Sequence, residues 1–402
     1  MTYLFSASHT PLQPRRRTLL SALLGSGVLA ACGGSSDKPV AESAVTAQAR
    51  SAVSKGLAGA VIASQDLSSR RIGVAGLRRL GQSAPLQSTD LMCIGSNTKA
   101  MSACVIARLV ADGRVRWDTT ILDALPDLAG ELRGEYATVT LAHLLDHKGG
   151  MLAFTGMEGD EERFMADLSA RNETLPDTLS GRRRFFARWL VSQAVPAGVT
   201  PTRDFHYSNA GYALAACMLE ALTARSFEAH FEEYMVQGLG VQGTWQHPSA
   251  VSAQQPNGHT GRAGALRAYA PEDVDTEAWL AVIAPAGGWA CRPDDYCTWL
   301  RWHLLALQGQ DTPLPGTYVQ RLKGMGSQEY ALGWLTTGLN GKPVLAHTGA
   351  HNGFMAIAAL ERSGRRASYG LTNTADTGAD GASWVMSLLN TALIKLDELN
   401  GS

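Results

Sequence analysis

The chain has 402 residues, 45% of them hydrophobic, and a net charge of -1. That length can bury a large core, as one big domain or two closely packed ones. The near-neutral balance argues against nucleic-acid binding, which needs a concentrated basic patch, and no stretch is long and apolar enough to span a membrane.

In chain order, the first element is a targeting segment set apart from the fold. Arg15-Arg16-Arg17 precede an apolar run that ends in Leu29-Ala30-Ala31-Cys32. Residues 1–32 resemble a bacterial lipoprotein signal, in which Cys32 becomes the lipidated first residue of the mature chain. Arg16-Arg17-Thr18-Leu19-Leu20 also resembles a twin-arginine signal. The expectation is an exported, periplasmic protein held at the membrane by a lipid on Cys32. Residues 33–44, small and polar, read as a flexible tether, and 45–400 as the folded part. Export bears on the other cysteines, Cys93, Cys104, Cys217, Cys291 and Cys297. Their number is odd, so at least one should be a buried free thiol. Cys291 and Cys297 are close enough in sequence to pair, but spacing alone does not set disulfide geometry.

An amphipathic helix is expected over 45–55, then a strand pair over 59–63 and 71–75 with a polar turn. Residues 96–111 carry helical apolar spacing, ended by Asp112-Gly113. The middle of the chain is helix-rich: a segment over 140–147 capped by Thr140, an Ala-rich helix over 209–222, and another over 293–307. Arg182-Arg183-Arg184 reads as a solvated helix face flanked by Phe185 and Phe186. Alternation returns over 344–347, 353–360 and 367–372, and a last helix spans 381–396. Strands at both ends with helices between predict an α+β fold. Its antiparallel sheet is built from both termini, flanked by helices, with a helix-rich insertion.

Three short motifs carry chemistry. Ser96-x-x-Lys99 puts a hydroxyl and an amine on one face of a helix start. A neutral Lys99 can take the Ser96 proton if burial holds its pKa down. The pattern is common; Ser35-Ser36-Asp37-Lys38 repeats it in the tether. Tyr207-x-Asn209 occurs once and opens an apolar helix, supplying a proton shuttle and a carboxamide. His-Thr-Gly occurs twice. His259-Thr260-Gly261 has no strand pattern around it and reads as a loop, whereas His347-Thr348-Gly349 ends an apolar strand that could hold an extended substrate.

The three motifs in this order resemble the serine β-lactamase and D-alanyl-D-alanine peptidase superfamily. The Tyr-x-Asn form is similar to class C β-lactamases, D-alanyl carboxypeptidases and related esterases. The likeness runs over roughly 58–393 and includes Ile94-Gly95-Ser96-Asn97-Thr98-Lys99, His143-Leu144-Leu145-Asp146-His147-Lys148-Gly149-Gly150, Tyr207-Ser208-Asn209-Ala210-Gly211-Tyr212 and Pro285-Ala286-Gly287-Gly288. Gly149 stands where the family usually has Ser. The resemblance implies a β-lactamase/transpeptidase-like fold and a Ser96 acyl-enzyme, with Lys99 and Tyr207 relaying the proton. It implies that Asn209 positions Lys99 and the substrate amide. His347, Thr348, Gly349 and Ala350 would bind substrate, with an oxyanion hole at the N–H groups of Ser96 and Ala350. It implies no metal or cofactor, and as substrate a β-lactam, a D-alanyl peptide or an ester. Class C β-lactamases usually carry Lys where this chain has His347; the His form favours the carboxypeptidase or esterase type.

Three rivals are weaker. His143 and His147 stand i,i+4 on the expected helix, but no catalytic Glu lies between them as a zinc hydrolase needs. No Gly-x-Ser-x-Gly marks an α/β-hydrolase. A catalytically dead relative that binds cell-wall peptides is disfavoured by intact Ser96, Lys99 and Tyr207.

Overall fold

The computed structural model describes residues 42–269, 278–376 and 383–401. The signal and lipidation readings at 1–32, and the tether up to residue 41, lie outside them. The cysteines beyond Cys32 are all buried and free.

Twelve strands are present among the described residues. β1 (Gly59–Gln65) and β2 (Arg70–Gly76) form the expected N-terminal hairpin. Short strands follow: β3 (Met92–Cys93), β4 (Gly243–Thr244), β5 (His259–Arg262), β6 (Ala265–Ala268) and β7 (Ala290–Cys291). The C-terminal part supplies β8 (Tyr330–Ala331), β9 (Trp334–Leu339), β10 (Lys342–His351), β11 (Phe354–Glu361) and β12 (Ala367–Thr372). The main sheet runs β2-β1-β12-β11-β10-β9-β8, antiparallel throughout. The N-terminal hairpin therefore joins the C-terminal strands through β1 and β12, the sheet from both termini that the alternation predicts.

Both faces of this sheet are covered, and the period-two alternation of strands sorts the side chains between them. Ala60 and Ile62 of β1, with Ala346 and Ile357, pack under the helices Ala44–Ser54 and Trp384–Gly401. Val61 and Ala63, with Leu345, Ala356 and Ala358, face the other way into the main core, which includes the helix Thr98–Ala111. His347 shares the parity of Leu345, so its ring turns toward the helical side of the molecule.

Four expectations are corrected. His259 lies on a strand rather than a loop: β5 pairs with β6, and the buried ring accepts from Leu80 N–H at 3.0 Å and contacts the Asn373 carbonyl at 2.8 Å. The hairpin is short and its ring partners Leu80 and Asn373 are far away in the chain, so local alternation does not reveal it. The 140–147 helix is only Leu141–Leu145, closed at its start by a Thr140–His143 capping box. His147 falls beyond its end with a φ of 57°, so it does not share a helical face with His143. The nucleophile segment begins as a 3-10 turn, Gly95–Asn97, before the helix Thr98–Ala111. Finally, Arg183 is buried rather than solvated, bonded to Glu220 at 2.5 Å and to Glu228.

Candidate active site

Ser96 sits on the tight turn ahead of the Thr98–Ala111 helix, and two elements bring groups onto its hydroxyl. Lys99 is one helical turn on, fully buried, with Nζ 3.0 Å from Ser96 Oγ. Tyr207, just before the helix Asn209–Thr223, donates its hydroxyl to the same Oγ at 2.7 Å. Residues 111 positions apart in the chain thus meet at one oxygen.

Lys99 Nζ also donates to Asn209 Oδ1 at 2.7 Å and to the Ala286 carbonyl at 2.8 Å. Asn209 is itself oriented, because its Nδ2 donates to the Phe154 carbonyl at 2.7 Å. Burial holds the Lys99 amine well below its ordinary pKa. Burial pushes the Tyr207 phenol up, outweighing the opposite pull of its hydrogen bond to Ser96. Both shifts favour the uncharged forms, an amine and a phenol on either side of the serine.

β10 passes this turn at backbone contact. A Cβ on Gly349 would lie 2.1 Å from the Ile94 carbonyl and 2.7 Å from Ser96 N. Gly95, at φ +52°, faces Ala350 N, with room for no side chain between them. The amides of Ser96 and Ala350 are drawn together in this way, and both residues line a cleft of about 220 Å³. β9 pairs with β10 only as far as Ala346, so among the described residues no strand lies on the β9 side of the segment from His347 to His351. That open edge suits an extended ligand.

His347 and Thr348 do not line the cleft. His347 is 1% exposed; its Nε2 accepts from Tyr330 OH at 3.0 Å, and its Nδ1 donates to the Thr348 carbonyl at 2.5 Å. Burial, reinforced by Lys99, pushes its pKa down to about 3, so the ring is neutral. Its place is behind Tyr207 and Tyr330, with ring centroids 6.5 and 5.6 Å away.

His147, which no spacing in the sequence ties to Tyr207, supports it in the fold. Its ring packs on Tyr207 at 4.2 Å between centroids and on Tyr330 at 4.7 Å, and its Nδ1 accepts the Ser208 N–H at 3.1 Å. A left-handed backbone at a buried histidine is strain kept by its surroundings; here those surroundings seat Tyr207. A Cβ at Gly149 would lie 2.8 Å from Leu144 Cδ2, the end of a side chain that would have to shift. The far wall of the cleft, with Trp245, His247, His351 and Asn352, was missed by sequence reasoning. These residues belong to no recurring spacing and meet only in the fold.

This sheet, with a Ser-Lys-Tyr cluster at its open edge, defines a β-lactamase/transpeptidase-like protein. The chain matches the Beta-lactamase family over residues 38–392 and belongs to that family. Unguisins hydrolase ungD of Aspergillus violaceofuscus is 26% identical over 188 residues, covering 45% of this chain and 30% of that protein. The chain spans half or less of the length of the first curated relatives it matches. The D-amino acid amidase of Ochrobactrum anthropi SV3, complexed with L-phenylalanine amide, has a similar fold at TM-score 0.67 and 18% identity, covering 89% of this chain and 98% of that one. A class C β-lactamase from Rhodobacter sphaeroides superposes at TM-score 0.64 with 18% identity over 89% of this chain and 99% of that one.

Proposed function

We propose that the protein is a serine hydrolase that forms an acyl-enzyme at Ser96 on ester or amide substrates, of D-alanyl carboxypeptidase or esterase type. The observation that carries this reading is Ser96 Oγ lying 3.0 Å from Lys99 Nζ and 2.7 Å from Tyr207 OH. A neutral amine has two N–H bonds, which the Asn209 Oδ1 and the Ala286 carbonyl accept. Its lone pair is left for the Ser96 hydroxyl, so Lys99 is the general base. As Oγ bonds to the substrate carbonyl carbon, its proton passes to Lys99, and the N–H groups of Ser96 and Ala350 receive the developing oxyanion. Tyr207 gives its proton to the departing oxygen or nitrogen and regains one from Lys99. Water activated along the same path then cleaves the ester at Ser96.

The amidase among the fold neighbours and the hydrolase among the relatives support acyl transfer to water as the reaction. The buried, neutral His347 supports the esterase type over an efficient β-lactamase, because it offers a substrate carboxylate no charge. Initial rates on a short-chain aryl ester, a D-Ala-D-Ala peptide and a chromogenic cephalosporin test this. The expected order puts the cephalosporin last; a dominant cephalosporinase rate would reverse the assignment. The N-terminal motif adds a second proposal, export with lipid attachment at Cys32, checked by radiolabelled palmitate incorporation that Cys32→Ala abolishes.

A further inference from the structure

The cleft beside Ser96 continues past Ala350 to a wall made by Trp245, His247, His351 and Asn352. Tyr207, which gives its proton to the departing atom, does not line this cleft. The leaving group therefore exits on the Tyr207 side, and the acyl part of the substrate occupies the cleft. Among the described residues no Lys or Arg lines it, and neither 270–277 nor 377–382 contains one. Lys99 lies close by, but its amine is spent on Ser96, Asn209 and Ala286. A carboxylate drawn into this space would lose its water and meet no cation.

The wall offers a neutral donor instead. His247 is 7% exposed, and its Nδ1 accepts the Ser249 N–H at 3.3 Å with Ser249 Oγ 2.7 Å away. A nitrogen that accepts an N–H carries no hydrogen itself, so the ring proton sits on Nε2. That Nε2 is buried and has no partner of good hydrogen-bond geometry, its interaction with the Asn352 backbone being a weak one. Buried donors are rarely left unpaired, and one at a ligand cleft is a place for a ligand acceptor.

We infer that the cleft is an acyl-side subsite for an uncharged group bearing a hydrogen-bond acceptor, such as a second ester or amide carbonyl, held by the Nε2–H of His247, and that it rejects a free carboxylate. The inference rests on Ser96 acting as the nucleophile.

Four p-nitrophenyl esters with a common leaving group separate the two ideas. The acetate is too short to reach the wall. The methyl adipate carries a distal carbonyl, the octanoate matches its length without one, and the hydrogen adipate is an anion at pH 7. The wild-type protein should favour the methyl adipate over the octanoate by about tenfold in kcat/KM, with the hydrogen adipate lowest by about tenfold more. His247→Phe should bring the methyl adipate down to the octanoate level, chiefly through KM, with a far smaller effect on the acetate. Labelling of Ser96 by an alkyl fluorophosphonate confirms that the variant is folded. Should it fail to label, His247→Asn keeps a partner for the Ser249 N–H while pulling its amide short of the cleft, and the same loss is expected. Equal rates on the three long esters, or a preference that survives in the variant, with the acetate still hydrolysed, overturn the subsite alone. A wild-type protein that neither labels at Ser96 nor hydrolyses the acetate overturns the nucleophile and the subsite together.

Discussion

Asn209 holds Lys99 against Ser96: its Oδ1 accepts from Lys99 Nζ at 2.7 Å while its Nδ2 is tied to the Phe154 carbonyl at 2.7 Å. A neutral acceptor at this position orients the amine without favouring its ammonium form. Asn209→Asp keeps the shape and adds a negative charge, which raises the Lys99 pKa. The base is then protonated at neutral pH. We expect kcat/KM at pH 7 to fall by roughly tenfold or more and its acid limb to move to higher pH. A pH–rate profile checks this, and an unshifted limb would remove Lys99 as the base.

Tyr207 stands on the other side of the serine, seated on the His147 ring. Tyr207→Phe keeps that packing and deletes only the hydroxyl. The kcat for an amide should fall by about 10²–10⁴, since the leaving amine needs a proton. A p-nitrophenyl ester, whose leaving group departs as an anion, should lose much less. Parallel kinetics on the two substrates measure the difference, and equal losses would point to a structural role for the phenol.

Arg183 ties the wall of the cleft to the helical core. It is fully buried, paired with Glu220 and Glu228, and its Nε donates to the Val282 carbonyl at 3.2 Å. Val282 sits between the cleft residues Ala281 and Ile283. Arg183→Met leaves two carboxylates without their partner and should cost about 3–5 kcal/mol of stability, read by urea denaturation. In the folded fraction, KM should rise while kcat changes less.

Histidines with depressed pKa values set the acid response, and four of the buried ones illustrate it. Burial lowers the pKa of His147 well below the usual value, that of His347 to about 3, and those of His247 and His303 to about 4. Each stays neutral in the fold, whereas the unfolded chain binds a proton near pH 6.5. Between about pH 6.5 and 4 the unfolded state thus holds more protons, so stability falls as pH falls. The limiting slope is about 1.4 kcal/mol per pH unit for each such histidine. Urea titrations at pH 7, 6 and 5 should show a steady loss, and a flat response would contradict the burial of these rings as neutral bases.

The sheet was legible because its strands alternate and its two halves flank a helix-rich middle, and Ser96, Lys99 and Tyr207 were legible because their motifs keep a fixed order. Other features depend on partners far away in the chain. Arg183 sits in a basic run that reads as solvated until Glu220 and Glu228 close on it. His259 reads as a loop until Leu80 and Asn373 bury it. His147 looks like the last residue of a short helix, yet it lies past the helix end beneath Tyr207. The His347 ring depends on the fold in the same way: its motif marks the strand, but only strand parity and Tyr330 reveal that the ring points away from the cleft.

The central claim is that Ser96 becomes acylated. Intact-protein mass spectrometry after brief exposure to an activated aryl ester, with peptide mapping of the product, tests it most directly. The wild-type chain should gain one acyl mass on the peptide containing Ser96, and Ser96→Ala should gain none. Equal acyl incorporation in the two proteins would contradict the account.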